Sequence, residues 1–336
     1  MVNQNPAQSI IEQNAVEEIA PGHFQTRWLP GHMGNASLIA YGGCALGAGT
    51  RAAYETVPDT HFIYSLVGHY HGPASISQPL EMFVTRTRDT KTFATRRVEL
   101  RQLQADGKTK RTVMEMLVDF HIDEPAALEF SAQPTRSYAR WDAVPKDINA
   151  YGDDKSAAAA NKMFGLNKRY FETRHCPEGV AGQNLHGMLK HRSHNQDHLP
   201  LGQRSSAEWS KAKHDLSDSK DTNGNRISRR GDRAAAVSFL MDGGLSFLPL
   251  THNHMWMEDT GACSSLDFAL RFMVPDIDLG KEWHLRERTT ISGAKGRTYS
   301  EARLWDEKGE LVASMTQSSI LRPPKPAPKD KKGSML

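Results

Sequence analysis

Three short landmarks recur along this chain of 336 residues at a nearly constant spacing, which restricts the fold more than any other feature. They are a glycine pair (Gly42-Gly43 and Gly243-Gly244), a Ser-Leu pair (Ser65-Leu66 and Ser265-Leu266) and a hairpin glycine (Gly107 and Gly309). Their offsets are 201, 200 and 202 residues. Self-similarity at one period indicates a duplicated structural unit. Each copy is predicted to be one helix, in the glycine-bearing stretch, followed by several antiparallel strands.

A helix wrapped by a strongly curved antiparallel sheet is the hotdog arrangement, so the repeat predicts an α+β double hotdog with a groove between its units. The predicted parts are an N-terminal hotdog (residues 8–125), a polar linker and insertion with part of the second hotdog (126–232), a C-terminal hotdog core (233–322) and a flexible tail (323–336). Two unrelated α+β domains are the alternative. Residues 190–230 are polar enough to predict a surface loop.

Bulk composition excludes two classes of partner. The 42 Lys+Arg and 39 Asp+Glu residues nearly cancel to a net charge of +3, so nothing in the charge indicates nucleic acid. A membrane span needs about 18 consecutive apolar residues. The best stretch, residues 234–250, is interrupted by Asp242 and a glycine pair. We therefore expect neither nucleic acid nor membrane as a partner.

No metal or bound cofactor is predicted. The three cysteines are too few and too scattered for a disulfide framework or a cysteine-based zinc site, which favours a reducing compartment. His191, His194 and His198 have ligand-like spacing, but no cysteine or paired carboxylate completes a shell. A P-loop, a dinucleotide-binding glycine motif and the Gly-x-Ser-x-Gly of α/β-hydrolases are all missing, so those chemistries have no support.

The last three residues, Ser334, Met335 and Leu336, resemble the Ser-Lys-Leu peroxisomal address with Met in place of Lys. The N-terminus has neither the basic start nor the apolar segment of a secretory signal. These features predict a peroxisomal protein that is bound by an import receptor through its C-terminal tripeptide. A cytoplasmic location is the alternative.

Five stretches together give the chain a family resemblance. They are residues 41–58, 93–98, 239–249, 264–267 and 311–317. In order and spacing they resemble the acyl-coenzyme A thioesterase II family, which includes the peroxisomal acyl-CoA thioesterase, over residues 8–122 and 163–322. The resemblance implies a double hotdog, thioester hydrolysis, an acyl-CoA substrate and assembly into a homo-oligomer.

In that family an Asp on the second hotdog helix, a Ser or Thr at the start of the next strand and a Gln on the last strand activate water. Carried over, these are Asp242, Ser265 and Gln317, the predicted catalytic residues. A carboxylate that takes a proton from water can accelerate hydrolysis roughly 10²–10⁴-fold. The hydroxyl and amide can orient that water. Each alone could be a satisfied buried polar residue, so their conjunction supports the prediction.

Five further residues are predicted to line the substrate groove: Gly42, Gly43, Cys44, His69 and Gly72. Backbone N–H groups around Gly42 and Gly43, at a helix N-terminus, are expected to meet the developing oxyanion. Cys44 stands where the family usually has Gln, Gly72 where it has Arg, and Met273-Val274 where it has His-Arg. These departures leave the acyl or carrier preference open.

The sequence therefore predicts an acyl-CoA thioesterase of fatty acid and lipid metabolism, which releases free acid and coenzyme A. Two alternatives stay open. One is a biosynthetic-pathway thioesterase that acts on a polyketide or modified acyl thioester, which the changes at Cys44, Gly72 and Met273 motivate. The other is a non-hydrolytic acyl-CoA binding protein, against which the retention of all three polar positions argues.

Overall fold

The computed structural model describes residues 2–35, 37–146 and 152–324. Its helices are α1 (Ile10–Asn14), α2 (Gly42–Tyr54), α3 (Asp154–Met163), α4 (Gly165–Tyr170), α5 (Val180–Gln183), α6 (Arg230–Met241) and α7 (Leu248–His252). The strands of the first half are β1 (Val16–Ala20), β2 (His23–Thr26), β3 (His61–Tyr70), β4 (Glu81–Asp89), β5 (Phe93–Leu103) and β6 (Lys110–Ile122). Those of the second half are β7 (Phe171–His175), β8 (Ser205–Ala212), β9 (Ser219–Lys220), β10 (Arg226–Ile227), β11 (Ala262–Ser265), β12 (Asp267–Phe272), β13 (His284–Ala294), β14 (Arg297–Trp305) and β15 (Leu311–Arg322).

Within the described residues, thirteen strands form one antiparallel sheet, in the order β1-β2-β4-β5-β6-β3-β12-β15-β14-β13-β8-β7, with β11 pairing along the end of β15. The six strands on one side of the β3–β12 joint have the same arrangement, counted inward from the edge of the sheet, as the six on the other side. Strand β1 therefore corresponds to β7, β2 to β8 and β4 to β13. Strands β5, β6 and β3 correspond in the same way to β14, β15 and β12. This internal symmetry is the double hotdog that the repeat predicts.

The two halves join where β3 pairs with β12, in a register that places Gly68 opposite Phe268. A Cβ at Gly68 would lie 2.7 Å from the Phe268 ring, closer than real Cβ contacts, so the glycine makes room for the aromatic side chain. Because hydrogen bonding continues across this joint, the two units share one layer and one main hydrophobic core.

Helices α2 and α6 lie against each other inside the sheet, and their directions are opposed. The N-terminal end of α2 meets the C-terminal end of α6, where the Tyr41 hydroxyl donates to the Phe239 carbonyl at 2.7 Å. At the other end, Arg51 Nε donates to Asp232 Oδ1 at 2.9 Å. Glycine and alanine fill most of α2, which lets the two backbones approach closely.

The two glycine pairs are not equivalent, which corrects part of the predicted repeat. Gly42 and Gly43 begin α2, whereas Gly243 and Gly244 follow the end of α6. A side chain at Gly43 would overlap the Tyr41 ring, while Gly244 has φ +89, a conformation that favours glycine. Strands β3 to β6 precede their counterparts β12, β13, β14 and β15 by 201 to 206 residues, but α2 precedes α6 by only 188.

The polar middle of the chain is not a loop throughout, contrary to the prediction for residues 190–230. Strand β8 lies in it, and seven of its eight residues are buried. Its polar side chains are tolerated there because they are paired. Ser206 Oγ accepts the Ala181 N–H at 3.0 Å and lies 2.8 Å from His252 Nε2, for example.

Among the described residues, every helix is too short or too polar to span a bilayer. The predicted targeting residues, 334–336, lie outside the part of the chain that the structure describes.

Candidate active site

A cavity of about 680 Å³ opens where the N-terminal end of α2 meets the C-terminal end of α6. Gly42 and Ala45 of α2, Tyr70 of β3, Asp242 and Gly243 after α6, and Ser265 of β11 all contribute to its wall. Because β3 and β11 come from different halves, the cavity is the groove between units that the duplicated fold predicts.

Asp242 is the C-cap of α6 and is buried beside the first turn of α2. Its Oδ1 accepts hydrogen bonds from the Tyr70 hydroxyl at 2.9 Å and from Gln317 Nε2 at 2.6 Å. The Gly43 backbone N–H also donates to this carboxylate. The positive end of α2 therefore stabilises a charge that stands at the negative end of α6.

Ser265 and Gln317 complete a hydrogen-bonded chain with Asp242. Ser265 Oγ donates to Gln317 Oε1 at 3.0 Å, and the amide nitrogen of Gln317 donates onward to Asp242. Gln317 is fully buried on β15 and does not line the cavity, whereas Ser265 and Asp242 do. The structure thus brings the three predicted residues together, with Gln317 placed behind the other two.

The pKa of Asp242 is raised above its ordinary value. Burial is the largest influence and favours the protonated form, while the hydrogen bonds from Tyr70, Gln317 and Gly43 and the charge of Arg286 act in the opposite direction. A carboxylate in this position has a higher proton affinity than a solvated one, as a general base requires.

Tyr70 is a site residue that the sequence analysis missed. Its neighbour His69, which was predicted to line the groove, is exposed and does not contribute to the cavity, so that prediction is wrong. Successive residues of a strand face opposite sides, and Tyr70 is the one that faces Asp242. Burial, with the adjacent carboxylate, raises the pKa of Tyr70 well above its ordinary value, so the phenol remains a donor. The sequence did offer a signal, since His69, Tyr70 and His71 follow one another and successive residues of a strand face opposite sides.

The remaining predicted groove residues occupy different depths. Gly42 and Gly72 line the cavity, whereas Gly43 and Cys44 lie behind its surface. A Cβ at Gly42 would lie 2.9 Å from Asp242 Oδ2, so a side chain there would crowd the carboxylate. Burial raises the pKa of Cys44 to about 12, so its thiol is not a nucleophile at neutral pH. Because Gly43 N–H donates to Asp242, it is not a spare donor for an oxyanion.

A second buried carboxylate lies in the same cavity, on β8. Glu208 is 1% exposed and forms ion pairs with Arg286 and Arg288 of β13, at 2.5 Å in both cases. Burial alone would raise the pKa of Glu208, but the two guanidinium groups outweigh it and lower the pKa to about 2. The contacts among Glu208, Arg286 and Arg288 depend on the pairing of β8 with β13, which are far apart in sequence. No local sequence motif therefore indicated them.

The histidines that had ligand-like spacing separate in the structure. His191 and His198 are exposed, while His194 lies beside Asp197 and His254, with potential ligand atoms within 4.8 Å of one another. The rings of His194 and His254 stack at 4.7 Å with an interplanar angle of 10°. The Nε2 atoms of both rings lie within hydrogen-bonding distance of the same carboxylate oxygen, Asp197 Oδ1, at 3.0 Å and 2.6 Å respectively.

Comparison with known proteins yields one family. Residues 29–121 match the model of the acyl-CoA thioesterase N-terminal domain, and residues 169–321 match that of the acyl-CoA thioesterase C-terminal domain. No curated protein matches the chain.

Solved structures share the fold at low sequence identity. The acyl-CoA thioesterase II TesB2 from Mycobacterium marinum superposes with a TM-score of 0.66 and 19% identity, over 94% of this chain and 99% of that one. The tesB protein of Mycobacterium avium subs paratuberculosis gives 0.66 and 15%, over 94% and 98%. A putative thioesterase II from Thermobifida fusca gives 0.65 and 14%, over 95% and 99%.

We predict that Glu208→Gln lowers the free energy of unfolding by about 3–5 kcal/mol at neutral pH, because it leaves two buried guanidinium groups without a countercharge. The folded pKa of about 2 lies below the ordinary 4.5, so the stabilisation by Glu208 is present above pH 4.5 and is lost as the pH falls toward 2. Guanidinium unfolding of both proteins across this range should show their difference shrinking as the pH falls.

Glu115→Gln is the matched control, since Glu115 pairs with Arg97 on the surface, where both side chains are more than a third exposed. It is expected to change stability little. Equal stability of the Glu208→Gln protein and the wild type at neutral pH would contradict the assignment of Glu208 as the essential countercharge.

Proposed function

We propose that this chain, which belongs to the acyl-CoA thioesterase family and is therefore a thioester hydrolase, cleaves acyl-CoA with a water molecule that Asp242 activates. The observation that carries the proposal is the hydrogen-bonded chain Ser265–Gln317–Asp242 at the wall of the cavity. All three are the residues that the family resemblance implies for the activation of water.

The proposed nucleophile is a water held between Asp242 and Ser265. The Ser265 hydroxyl proton is directed to Gln317, so the lone pairs of its oxygen are available to accept a hydrogen bond from water. Gln317 contacts both residues and fixes their separation, which makes it a positioning residue. The water can then approach a thioester carbonyl in one orientation only.

Hydrolysis follows from this arrangement with a complete proton balance. Water forms a bond to the carbonyl carbon while its proton passes to the Asp242 carboxylate. The tetrahedral intermediate collapses with cleavage of the carbon–sulfur bond, and the departing thiolate takes the proton back from Asp242. The products are a free acid and coenzyme A. Gly42 lines the cavity in the first turn of α2, so the positive end of that helix dipole is directed at the developing oxyanion.

A non-hydrolytic acyl-CoA binding protein is the main alternative. It would need the same cavity but would have no use for a buried carboxylate with raised pKa, whose burial is unfavourable. The acyl chain itself, and a role in fatty acid metabolism, stay predictions from the resemblance, as does the homo-oligomer.

Asp242→Asn is expected to lower kcat/KM for acyl-CoA hydrolysis by about 10²–10⁴-fold, because an amide cannot accept the proton of the attacking water. Hydrolysis is followed with a thiol reagent that detects free coenzyme A, over acyl-CoAs of several chain lengths. Asp306→Asn, in the β14–β15 hairpin turn, serves as the control and should retain full activity. Undiminished turnover by Asp242→Asn would refute the mechanism, and binding without turnover by the wild type would establish the alternative.

Tyr70→Phe is expected to move the acidic limb of the pH profile of kcat/KM to higher pH. The Asp242 carboxylate must be ionised to act, so activity rises as the pH passes through its pKa. The hydrogen bond from Tyr70 lowers that pKa, and its removal raises the pKa further above the ordinary 3.8. The rate on the plateau above the limb should fall much less than in Asp242→Asn.

Tyr64→Phe is the matched control, because Tyr64 lies on the same strand but its ring contacts Phe93 and His121 instead of the cavity. Its profile should coincide with that of the wild type. A purely structural role for Tyr70 would lower the rate at every pH and leave the position of the limb unchanged, contrary to our proposal.

The peroxisomal address stays a prediction from sequence. Deletion of residues 334–336 is expected to leave hydrolysis intact, because the cavity residues all lie before residue 321. A fluorescent protein fused to the N-terminus of the full chain should be punctate and become cytosolic after the deletion. Punctate fluorescence that survives the deletion would exclude this tripeptide as the address.

A further inference from the structure

One side of the cavity is built from charged side chains on three adjacent strands. His175 of β7 lies opposite Glu208 of β8, and Glu208 lies opposite Arg286 of β13. Arg288, two residues further along β13, faces the same side. All four line the cavity, and we call them the polar wall.

Charged side chains as buried as those of the polar wall are unusual in a site that binds only a hydrocarbon chain. Arg286 and Arg288 are 5% and 3% exposed, and the single carboxylate of Glu208 serves both. A methyl-terminated acyl chain packed here would keep water from these groups and return no hydrogen bond, which is unfavourable. An acyl group with its own acceptor oxygen would compensate that loss.

The charge balance of the cavity favours an anion. Among the residues that the structure describes, its charged lining residues are Lys168, Arg286, Arg288, Glu208 and Asp242. Within the polar wall, the guanidinium groups of Arg286 and Arg288 share the single carboxylate of Glu208, which leaves an excess positive charge there. Burial lowers the pKa of His175 to about 4 and that of His186 well below its ordinary value, so neither of these two lining histidines adds positive charge at neutral pH.

Arg288 has donor capacity that the protein does not use. Its Nη2 donates to Glu208 and its Nη1 reaches the Gly243 carbonyl only at 3.4 Å, while its Nε is buried with no partner among the described residues. Arg286, in contrast, directs Nε and Nη2 to Glu208 and Nη1 to the Leu240 carbonyl. Arg288 is thus the less completely paired of the two guanidinium groups in the wall.

The wall is also close to the reacting centre. Arg288 contacts the carbonyl of Gly243, which directly follows Asp242, and a Cβ at Gly244 would overlap the guanidinium group. The phosphates of coenzyme A are separated from the thioester by the whole pantetheine arm. An anionic group bound to Arg288 while the thioester lies at Asp242 therefore belongs to the acyl side.

We propose that the preferred acyl group carries a second carboxylate, which binds to Arg288 while its thioester lies at Asp242. This rests on the proposed hydrolysis and names the substrate class as ω-carboxyacyl thioesters. Arg288 is then a specificity-determining residue, and Glu208 and Arg286 hold it in place.

The test compares three substrates of equal chain length for each of several lengths: an ω-carboxyacyl-CoA, its ω-methyl ester and the methyl-terminated acyl-CoA. For at least one length, wild-type kcat/KM should be about tenfold or more higher for the free carboxylate than for either neutral analogue. Equal or lower values for the carboxylate at every length would overturn the proposal while leaving hydrolysis intact. Absence of hydrolysis of all three would instead reject the proposed function.

Arg288→Met should remove the preference, by lowering kcat/KM for the ω-carboxyacyl substrate about tenfold to a hundredfold more than it lowers kcat/KM for the two neutral substrates. Arg288→Lys, which keeps the charge, should restore part of it. Arg303→Met is the control, since Arg303 pairs with Glu301 on β14 and does not line the cavity. Thermal melting shows which variants are folded. If Arg288→Met is not folded, the comparison of the three substrates with the wild-type protein tests the proposal.

A final experiment distinguishes the two sources of negative charge in the substrate, which are the acyl carboxylate and the phosphates of coenzyme A. N-acetylcysteamine thioesters of the same acyl groups lack the phosphates of coenzyme A. Persistence of the carboxylate preference with these thioesters, and its loss in Arg288→Met, supports binding of the acyl group. If Arg288→Met affects only coenzyme A thioesters, and does so equally for all three acyl groups, Arg288 binds the carrier and the proposal is wrong.

Discussion

The close approach of α2 and α6 determines where the other groups of the site lie. Gly43 is the point of contact, since any side chain there would overlap the Tyr41 ring and lie 2.7 Å from the Phe239 carbonyl. The approach places the C-cap of α6 against the first N–H groups of α2, so Asp242 lies between two helix ends of opposite polarity. A continuous sheet then brings Tyr70 and Gln317 to the same carboxylate from different halves of the chain.

The internal symmetry of the fold does not extend to its chemistry. Where α2 ends and α6 begins, Arg51 lies between Asp232 and Glu55, at 2.9 and 2.5 Å, and fills the space beside Gly231. Glu55 is the C-cap of α2 as Asp242 is that of α6, yet it is exposed and ion-paired. Equivalent positions thus hold a solvated carboxylate at one end of the helix pair and a buried one at the other, and only the buried one has the environment of a base.

A structural feature could be predicted from the sequence where its signal lies within a few neighbouring residues, and could not where it depends on contacts between distant strands. Strand periodicity and hairpin glycines are local, so the repeat predicted the duplicated strands and the groove between units. Asp242, Ser265 and Gln317 were identified through the family resemblance. In the structure the three side chains are joined by hydrogen bonds. Which side of a strand faces the core needs the register, so His69 was chosen where Tyr70 is the residue that contacts Asp242. The polarity of β8 suggested a loop because Glu208 finds its partners across strands about 80 residues away.

The two buried carboxylates show how one cavity can hold groups of opposite behaviour. Glu208 faces two guanidinium groups that lower its pKa to about 2, so it remains ionised and acts only through its charge. Asp242 receives neutral donors, and burial outweighs them and raises its pKa. Two acids whose environments separate their proton affinities can be assigned different roles. The charge of Glu208 organises the polar wall, while the proton that must move in hydrolysis goes to Asp242, the only one of the two with a raised affinity for it.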